Sequence, residues 1–77
     1  MITLRIYTTY DILSKQTGLQ LNEQNLEYWR TRSDFKEYHS YEKDGLLFFE
    51  KNIDEQSLYN HLKTISQFNV TYELVRK

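Results

Sequence analysis

The chain has 77 residues and a formal net charge of −1, which fits one small domain with a thin margin of stability. It has no cysteine, and this excludes disulfides and cysteine-based metal sites. Because it has no apolar run of about 18 residues and no signal-peptide pattern, we expect a cytoplasmic protein. Alanine and proline are missing, and since their codons are GC-rich, the composition suggests a low-GC genome such as that of a phage, plasmid or Firmicute.

Both ends of the chain predict strands. Residues 2–8 and 69–77 alternate apolar and polar side chains with a period of two, as half-buried strands do. The apolar positions are Ile2, Leu4 and Ile6 at the first end and Val70, Tyr72 and Leu74 at the second.

Two short helices are predicted after the first strand. Asp11 is the expected cap of a helix over DILSKQT that stops at Gly18. Asn22 is the expected cap of a second helix over EQNLEYWRTR. The side chains expected to face the core are Leu19, Leu26 and Trp29.

The middle of the chain predicts a β-hairpin. Asp44 and Gly45 form an Asp-Gly pair, and both residue types tolerate the positive φ that a tight hairpin turn requires. The flanking strands would cover residues 35–42 and 46–51. Alternatively residues 33–42 are helical, because their aromatic residues also recur at a spacing of three.

A longer helix is predicted over NIDEQSLYNHLKTISQF. Asp54 is the expected N-cap, and Ile53 and Leu58 occupy the two positions of a hydrophobic staple. Apolar residues recur at helical spacing as far as Ile65. The whole chain, residues 1–77, therefore predicts a single small α+β domain. The β-α-β-β-α-β order of ferredoxin-like folds is favoured, and a three-strand β-α-β-α-β arrangement is the alternative.

Acidic residues are concentrated in the middle of the chain. Residues 23–55 carry nine acids and five bases, a net charge of −4, whereas the remainder carries +3. A duplex-binding domain normally concentrates positive charge against the phosphates. The charge pattern therefore argues against general nucleic-acid affinity.

Aromatic residues interleaved with these acids predict a protein-binding surface. Aromatic side chains dominate interface hot spots, and clustered carboxylates attract a cationic partner. We therefore expect a non-enzymatic modulator of the inhibitor, antitoxin or anti-defence type, which occludes a basic surface of its target. The expected partner-binding residues are Glu23, Glu27, Tyr28, Asp34, Glu37, Tyr38, Tyr41 and Glu42, and Phe35 is a further candidate anchor.

A ferredoxin-like sheet carries helices on one face and leaves the other open. Arg5 and Tyr7 should point to that open face, joined by either Phe48 or Phe49, since LLFFEK is apolar on both sides. We include Phe48 with Arg5 and Tyr7 as the predicted contact residues. Such a face is commonly buried against a second copy of the chain, so a homodimer through it is expected.

Two nucleic-acid interpretations remain as alternatives. The aromatic open face is suited to stacking bases, and residues 11–51 fit a winged helix-turn-helix. In the second case Glu23 and Glu27 would lie on the recognition helix and repel phosphates. The candidate base-reading residues are Gln20, Asn22, Gln24 and Asn25.

No catalytic site is predicted from the sequence. It offers no cysteine nucleophile, no Gly-x-Ser-x-Gly turn and no glycine-rich phosphate loop. His39 and His61 are the only imidazoles, and their spacing does not place them together on one helix face as metal ligands. We therefore expect no enzymatic activity, no cofactor and no metal.

Overall fold

The computed structural model describes residues 1–76 and shows a small α+β domain built on one four-stranded antiparallel sheet. The strands lie side by side in the order β2-β3-β1-β4, so β1 and β3 are central and β2 and β4 are the edges. The elements are β1 (Ile2–Thr8), α1 (Tyr10–Thr17), α2 (Leu26–Arg30), β2 (His39–Lys43), β3 (Leu46–Ile53), α3 (Glu55–Ile65) and β4 (Thr71–Arg76).

This architecture confirms the predicted α+β class. Between β1 and β2 the chain has two helices, so the element order is β-α-α-β-β-α-β. The alternative three-strand arrangement is wrong, because the β2-β3 hairpin forms and both of its strands join the sheet. Within the described residues, no helix is long and apolar enough to cross a membrane.

The alternating pattern of β1 determines which face of the sheet is the core. Ile2, Leu4 and Ile6 are each at most 1% exposed and pack with Leu13 of α1 and Ile65 of α3. Side chains of a strand alternate between the two faces, so the intervening residues of β1 point away from the helices. Both helices therefore lie on the same face of the sheet.

The β2-β3 hairpin turns through the predicted Asp-Gly pair. Asp44 has φ of 54° and Gly45 has φ of 78°, and Lys43 pairs with Leu46 across this two-residue loop. Positive φ at both positions is the geometry that the twist of the flanking strands favours.

The helix ends agree in part with prediction. Asp54 caps α3, since its side chain accepts from the backbone N–H of Ser57, and Gly18 ends α1 in the left-handed conformation. Thr9, however, caps α1 in place of Asp11, its hydroxyl accepting from Ile12 N.

The predicted cap of the second helix is also displaced. The Asn22 side chain accepts from the backbone N–H groups of Gln24 and Asn25, which form a turn, and α2 starts only at Leu26. Leu26 is buried as predicted and Trp29 is partly buried, whereas Leu19 is 51% exposed.

The segment between α2 and β2 is an irregular loop, so the strand predicted over residues 35–42 starts only at His39. Arg30 closes this loop: its Nη1 donates to the carbonyl oxygens of Phe35 at 3.3 Å, Lys36 at 2.9 Å and Tyr38 at 2.7 Å. Its Nε and Nη2 donate to Glu27. The backbone carbonyls that a strand would direct to a neighbouring strand are thus satisfied by one guanidinium.

Tyr38 anchors this loop to α3 through a buried contact. Its hydroxyl lies 3.1 Å from Nδ1 of His61. Burial raises the pKa of Tyr38 to about 12, so the phenol is neutral. Burial lowers the pKa of His61; Lys51 adds to this, whereas Glu37 and Asp54 oppose it. The folded state therefore favours a neutral imidazole.

We expect the unfolding temperature to decrease as the pH is lowered from about 7.5 to about 5.5. This window lies above the pKa values of ordinary carboxylates. The unfolded histidine, with a pKa near 6.5, takes up a proton before the folded one. His61 therefore costs no stability above that pH and progressively more below it. Thermal unfolding followed by circular dichroism would show a weaker pH slope in His61→Gln. The exposed His39→Gln is the control, and an unchanged slope in His61→Gln would contradict this assignment.

Candidate functional site

The side of the sheet opposite the helices, here called the open face, carries a mixed aromatic and charged surface. Among residues 1–76, no helix packs over it, and the strand register places its side chains in adjacent rows. It comprises Thr3, Arg5 and Tyr7 of β1, Leu46, Phe48, Glu50 and Asn52 of β3, His39, Tyr41 and Lys43 of β2, and Thr71, Glu73 and Val75 of β4.

Three rings form an aromatic cluster at one end of the open face. Tyr41 stacks on Phe48 with ring centroids 4.9 Å apart and planes 10° apart, and Tyr7 meets the edge of Phe48 at 5.5 Å. Phe49 points to the core and is fully buried. The register with β1 thus gives the outward position to Phe48, as included in the predicted contact residues.

Arg5 lies at the centre of the open face between two carboxylates. Its Nη1 donates to Glu73 at 2.6 Å, and its Nε and Nη2 donate to Glu50 at 3.3 Å. Interaction with Glu73 raises the pKa of Tyr7, and interaction with Glu50 raises the pKa of Tyr41, so both phenols stay neutral. The one cation at this centre is already neutralised, which leaves little attraction for a phosphate.

Two shallow clefts flank Arg5. A cleft of about 370 Å³ lies over the aromatic cluster and Lys43, and a second of about 310 Å³ lies beside His39 and Asn52. Both are open grooves of the sheet surface. They fit side chains of a docked surface better than an enclosed small molecule.

Three of the predicted acids meet on the other side of edge strand β2; we call Glu23, Glu27 and Glu42 the acidic flank. Glu27 accepts from the Ser40 hydroxyl at 2.8 Å, and Glu42 accepts from the Tyr10 hydroxyl at 2.9 Å.

These carboxylates interact with titratable neighbours. Burial, the hydrogen bond to Glu42 and the charge of Glu23 together raise the pKa of Tyr10 to about 12. The Arg30 guanidinium, followed by Ser40, lowers the pKa of Glu27 to about 2. Glu27 is therefore ionised at neutral pH, and its bonds to Arg30 and Ser40 also give it a structural role.

The remaining predicted acids lie elsewhere. Glu37 pairs with Lys51 at 2.6 Å, and Asp34 is exposed in the loop after α2. Tyr28 is 66% exposed, and the guanidinium of Arg32 lies 3.7 Å above its ring. Tyr28 is thus available for contact.

Two aromatic residues in the predicted set are not available as surface anchors. Tyr38 is 4% exposed and Phe35 is fully buried. Both are held in the core by the loop that Arg30 closes, so the prediction that they meet a partner directly is wrong in the folded chain. Tyr41 lies on the open face, on the opposite side of β2 from Glu42.

The geometry does not form the predicted winged helix-turn-helix. The second helix has only five residues, and Asn22 and Asn25 use their side chains to bind local backbone groups. The β2-β3 hairpin belongs to the main sheet, because β3 pairs with β1 from Leu47 to Ile53.

Sequence reasoning missed the partners of the central arginine. Glu50 and Glu73 stand directly opposite Arg5 in the two ladders. The available signal was that the acids and the base occupy positions of their strands that point to the same face of the sheet, where opposite charges can pair. Comparison with protein-family models, with curated proteins and with solved structures found no match to this chain.

Proposed function

We propose that this chain is a non-enzymatic protein-binding module of the inhibitor or antitoxin type that docks on a basic surface of its target through the β2 side of the sheet. The observation that carries the proposal is the composition of this edge strand. Tyr41 extends from β2 onto the aromatic cluster, and the next residue, Glu42, extends to the acidic flank. A partner that covers the β2 edge meets both.

The chemistry of this edge suits a cationic protein. Carboxylates beside the edge steer a basic partner and disfavour polyanions, while the stacked rings offer preorganised apolar area at low entropic cost. Tyr28, which is 66% exposed on α2, is a further ring available to a partner. The mechanism is occlusion of the basic surface, with no chemical step.

A matched pair of charge reversals tests the electrostatic part. Glu42→Lys on the β2 side should weaken binding of the target about three- to tenfold at physiological salt, because it places a cation against a cationic surface. The difference should largely disappear near 0.5 M salt, about where the screening length becomes a few ångströms. Asp11→Lys, the same reversal at an exposed residue of α1 that neither proposed interface uses, is the control.

The target is identified by placing a photo-crosslinking benzoylphenylalanine at Tyr41 or, as control, at the exposed Leu19 after α1, in the organism that encodes the chain. We expect position 41 to give one discrete adduct with a basic protein, reduced in Glu42→Lys and retained in Asp11→Lys. The purified target then supplies the affinity measurement. Adducts with a basic protein from position 19 alone, or an adduct unaffected by Glu42→Lys, would refute docking at β2.

Base stacking on the open face is the second candidate function. It is favoured by the parallel rings of Tyr41 and Phe48, and it is opposed by the two carboxylates around Arg5. Fluorescence anisotropy with labelled single-stranded DNA and RNA decides between them. Micromolar binding that is lost in Phe48→Ala would favour this alternative.

A further inference from the structure

The other edge of the sheet, β4 with the outer side of α3, forms a second surface with a different character. A groove of about 440 Å³ runs between them, lined by Leu62, Ile65, Phe68 and Val70 at its base. Two large side chains, Tyr59 and Tyr72, stand at its rim, 74% and 46% exposed.

The β4 edge lacks the usual protection against strand pairing. Its pairing with β1 runs without interruption from Thr71 to Arg76, and the sequence has neither proline nor lysine between these positions. Natural edge strands are commonly blunted by lysine, proline or a bulge. Within residues 1–76 no strand pairs with the outer side of β4. The strand is therefore free to accept a further strand.

The charges along this edge are already arranged for pairing. Glu73 is engaged by Arg5 on the open face, and Arg76 is engaged by Glu55 of α3. Adding a strand at this edge would thus bury no charged side chain of β4 without a partner.

The outer side of α3 carries a charge pattern that is complementary to an antiparallel copy of itself. Glu55, Tyr59 and Lys63 recur every four residues and so lie on one stripe of the helix. The stripe faces the β4 edge, since Glu55 binds Arg76 and both Tyr59 and Lys63 line the groove beside Tyr72. An acid thus lies at one end of the stripe, a base at the other and an aromatic ring between them.

We propose that β4 and α3 form the interface of a homodimer, with the two β4 strands paired antiparallel about a two-fold axis. This arrangement runs the α3 stripes antiparallel, so Glu55 of each copy lies near Lys63 of the other and the two Tyr59 rings meet near the axis. Each copy closes the apolar groove of its partner. The sheets of the two copies join into one continuous antiparallel sheet, with the helices of both on the same side.

This interface is distinct from the open face and from the β2 edge. A dimer through the open face would bury the aromatic cluster and leave Tyr59 and Tyr72 in solvent. The β4 dimer does the reverse. The proposal therefore stands or falls separately from the proposed target-binding function.

Sedimentation equilibrium over a concentration series tests the dimer. We expect the wild-type chain to approach twice its 9.5 kDa mass. Lys63→Glu should weaken the dimer by about tenfold, because it sets two carboxylates together at each end of the stripe. The charge swap Glu55→Lys/Lys63→Glu should restore it to within about threefold. Circular dichroism verifies the fold of each variant.

Spin labels locate the interface directly, since the chain has no native cysteine. Asn60→Cys labels α3 beside the stripe, and Lys43→Cys labels the hairpin at the far side of the sheet. Pulsed dipolar spectroscopy should give a shorter inter-subunit distance for Asn60→Cys than for Lys43→Cys.

Three results would overturn the proposal. These are a monomer at every concentration, a dimer unaffected by Lys63→Glu, or a shorter distance at Lys43 than at Asn60. The last would place the interface on the open face or at the β2 edge, and a monomer would direct attention to an extended segment of another protein as the occupant of β4.

Discussion

Replacing Phe35 by alanine should remove a large part of the domain's free energy of unfolding. Phe35 is fully buried and contacts the rings of Trp29, Tyr38, Phe49 and Phe68 at centroid distances of 4.9 to 5.8 Å. Truncating a buried phenylalanine costs about 3 to 5 kcal/mol. A domain of this size has a total free energy of unfolding of only about 4 to 11 kcal/mol. Urea unfolding followed by circular dichroism measures the loss.

Two further variants show whether the loss comes from this cavity. Phe35→Leu fills most of the space and should cost about 1 to 1.5 kcal/mol. Tyr28→Ala removes an exposed ring from the neighbouring helix and should change stability by less than about 0.5 kcal/mol. Equal stability of Phe35→Ala and Tyr28→Ala would mean that the loop does not pack in the core as described.

Arg30→Met should be the second most damaging single substitution. The side chain is only 15% exposed, and its Nη1 satisfies three carbonyl oxygens of the loop. Methionine retains the apolar stem but leaves the carbonyl oxygens of Lys36 and Tyr38 without this donor, whereas that of Phe35 still accepts from the backbone N–H of Tyr38. The expected cost is about 2 to 4 kcal/mol. For a domain this small, that lowers the unfolding temperature by roughly 8 to 32 °C.

The control for this substitution lies two residues away. Arg32→Met removes an exposed guanidinium that stacks on Tyr28, and we expect a change within about 0.5 kcal/mol. If the two methionine variants melt together, the guanidinium of Arg30 does not hold the loop. Differential scanning calorimetry gives both unfolding temperatures under the same conditions.

The regular parts of the fold were predictable because each has a local cause. The alternation in residues 2–8 indicates one buried face, Asp44 and Gly45 accept positive φ, and Asp54 caps the helix that follows it. These signals need no knowledge of the rest of the chain. They were sufficient to predict the hairpin, the terminal strands and α3.

The irregular loop had no such signal. Phe35 and Tyr38 are aromatic residues three apart among polar neighbours, a pattern that fits an exposed strand, a helix or a partner surface equally well. The guanidinium of Arg30 holds the loop that carries these two rings in place, and it does so by binding backbone carbonyls rather than side chains. Every residue type offers a backbone carbonyl, so such contacts cannot be predicted from the identity of the residues contacted.

The candidate site was predicted only in part, for a similar reason. The acids and aromatic residues are close together along the chain, but the side chains of strand β2 point alternately to its two sides and so divide them between two surfaces. Glu42 and Tyr41 are consecutive and yet point to opposite sides. Which of Phe48 and Phe49 points outward likewise depends on the register with β1. Because β3 is apolar on both sides, its sequence does not indicate that register.

The sheet order also determines how many targets the protein could engage. β2 and β4 are opposite edges, so pairing through β4 leaves a β2 edge at each end of a joined sheet, about 34 Å apart for eight strands. Such an assembly would be bivalent. A target that presents two basic patches at that spacing would be retained much longer than one with a single patch, because the second attachment becomes intramolecular.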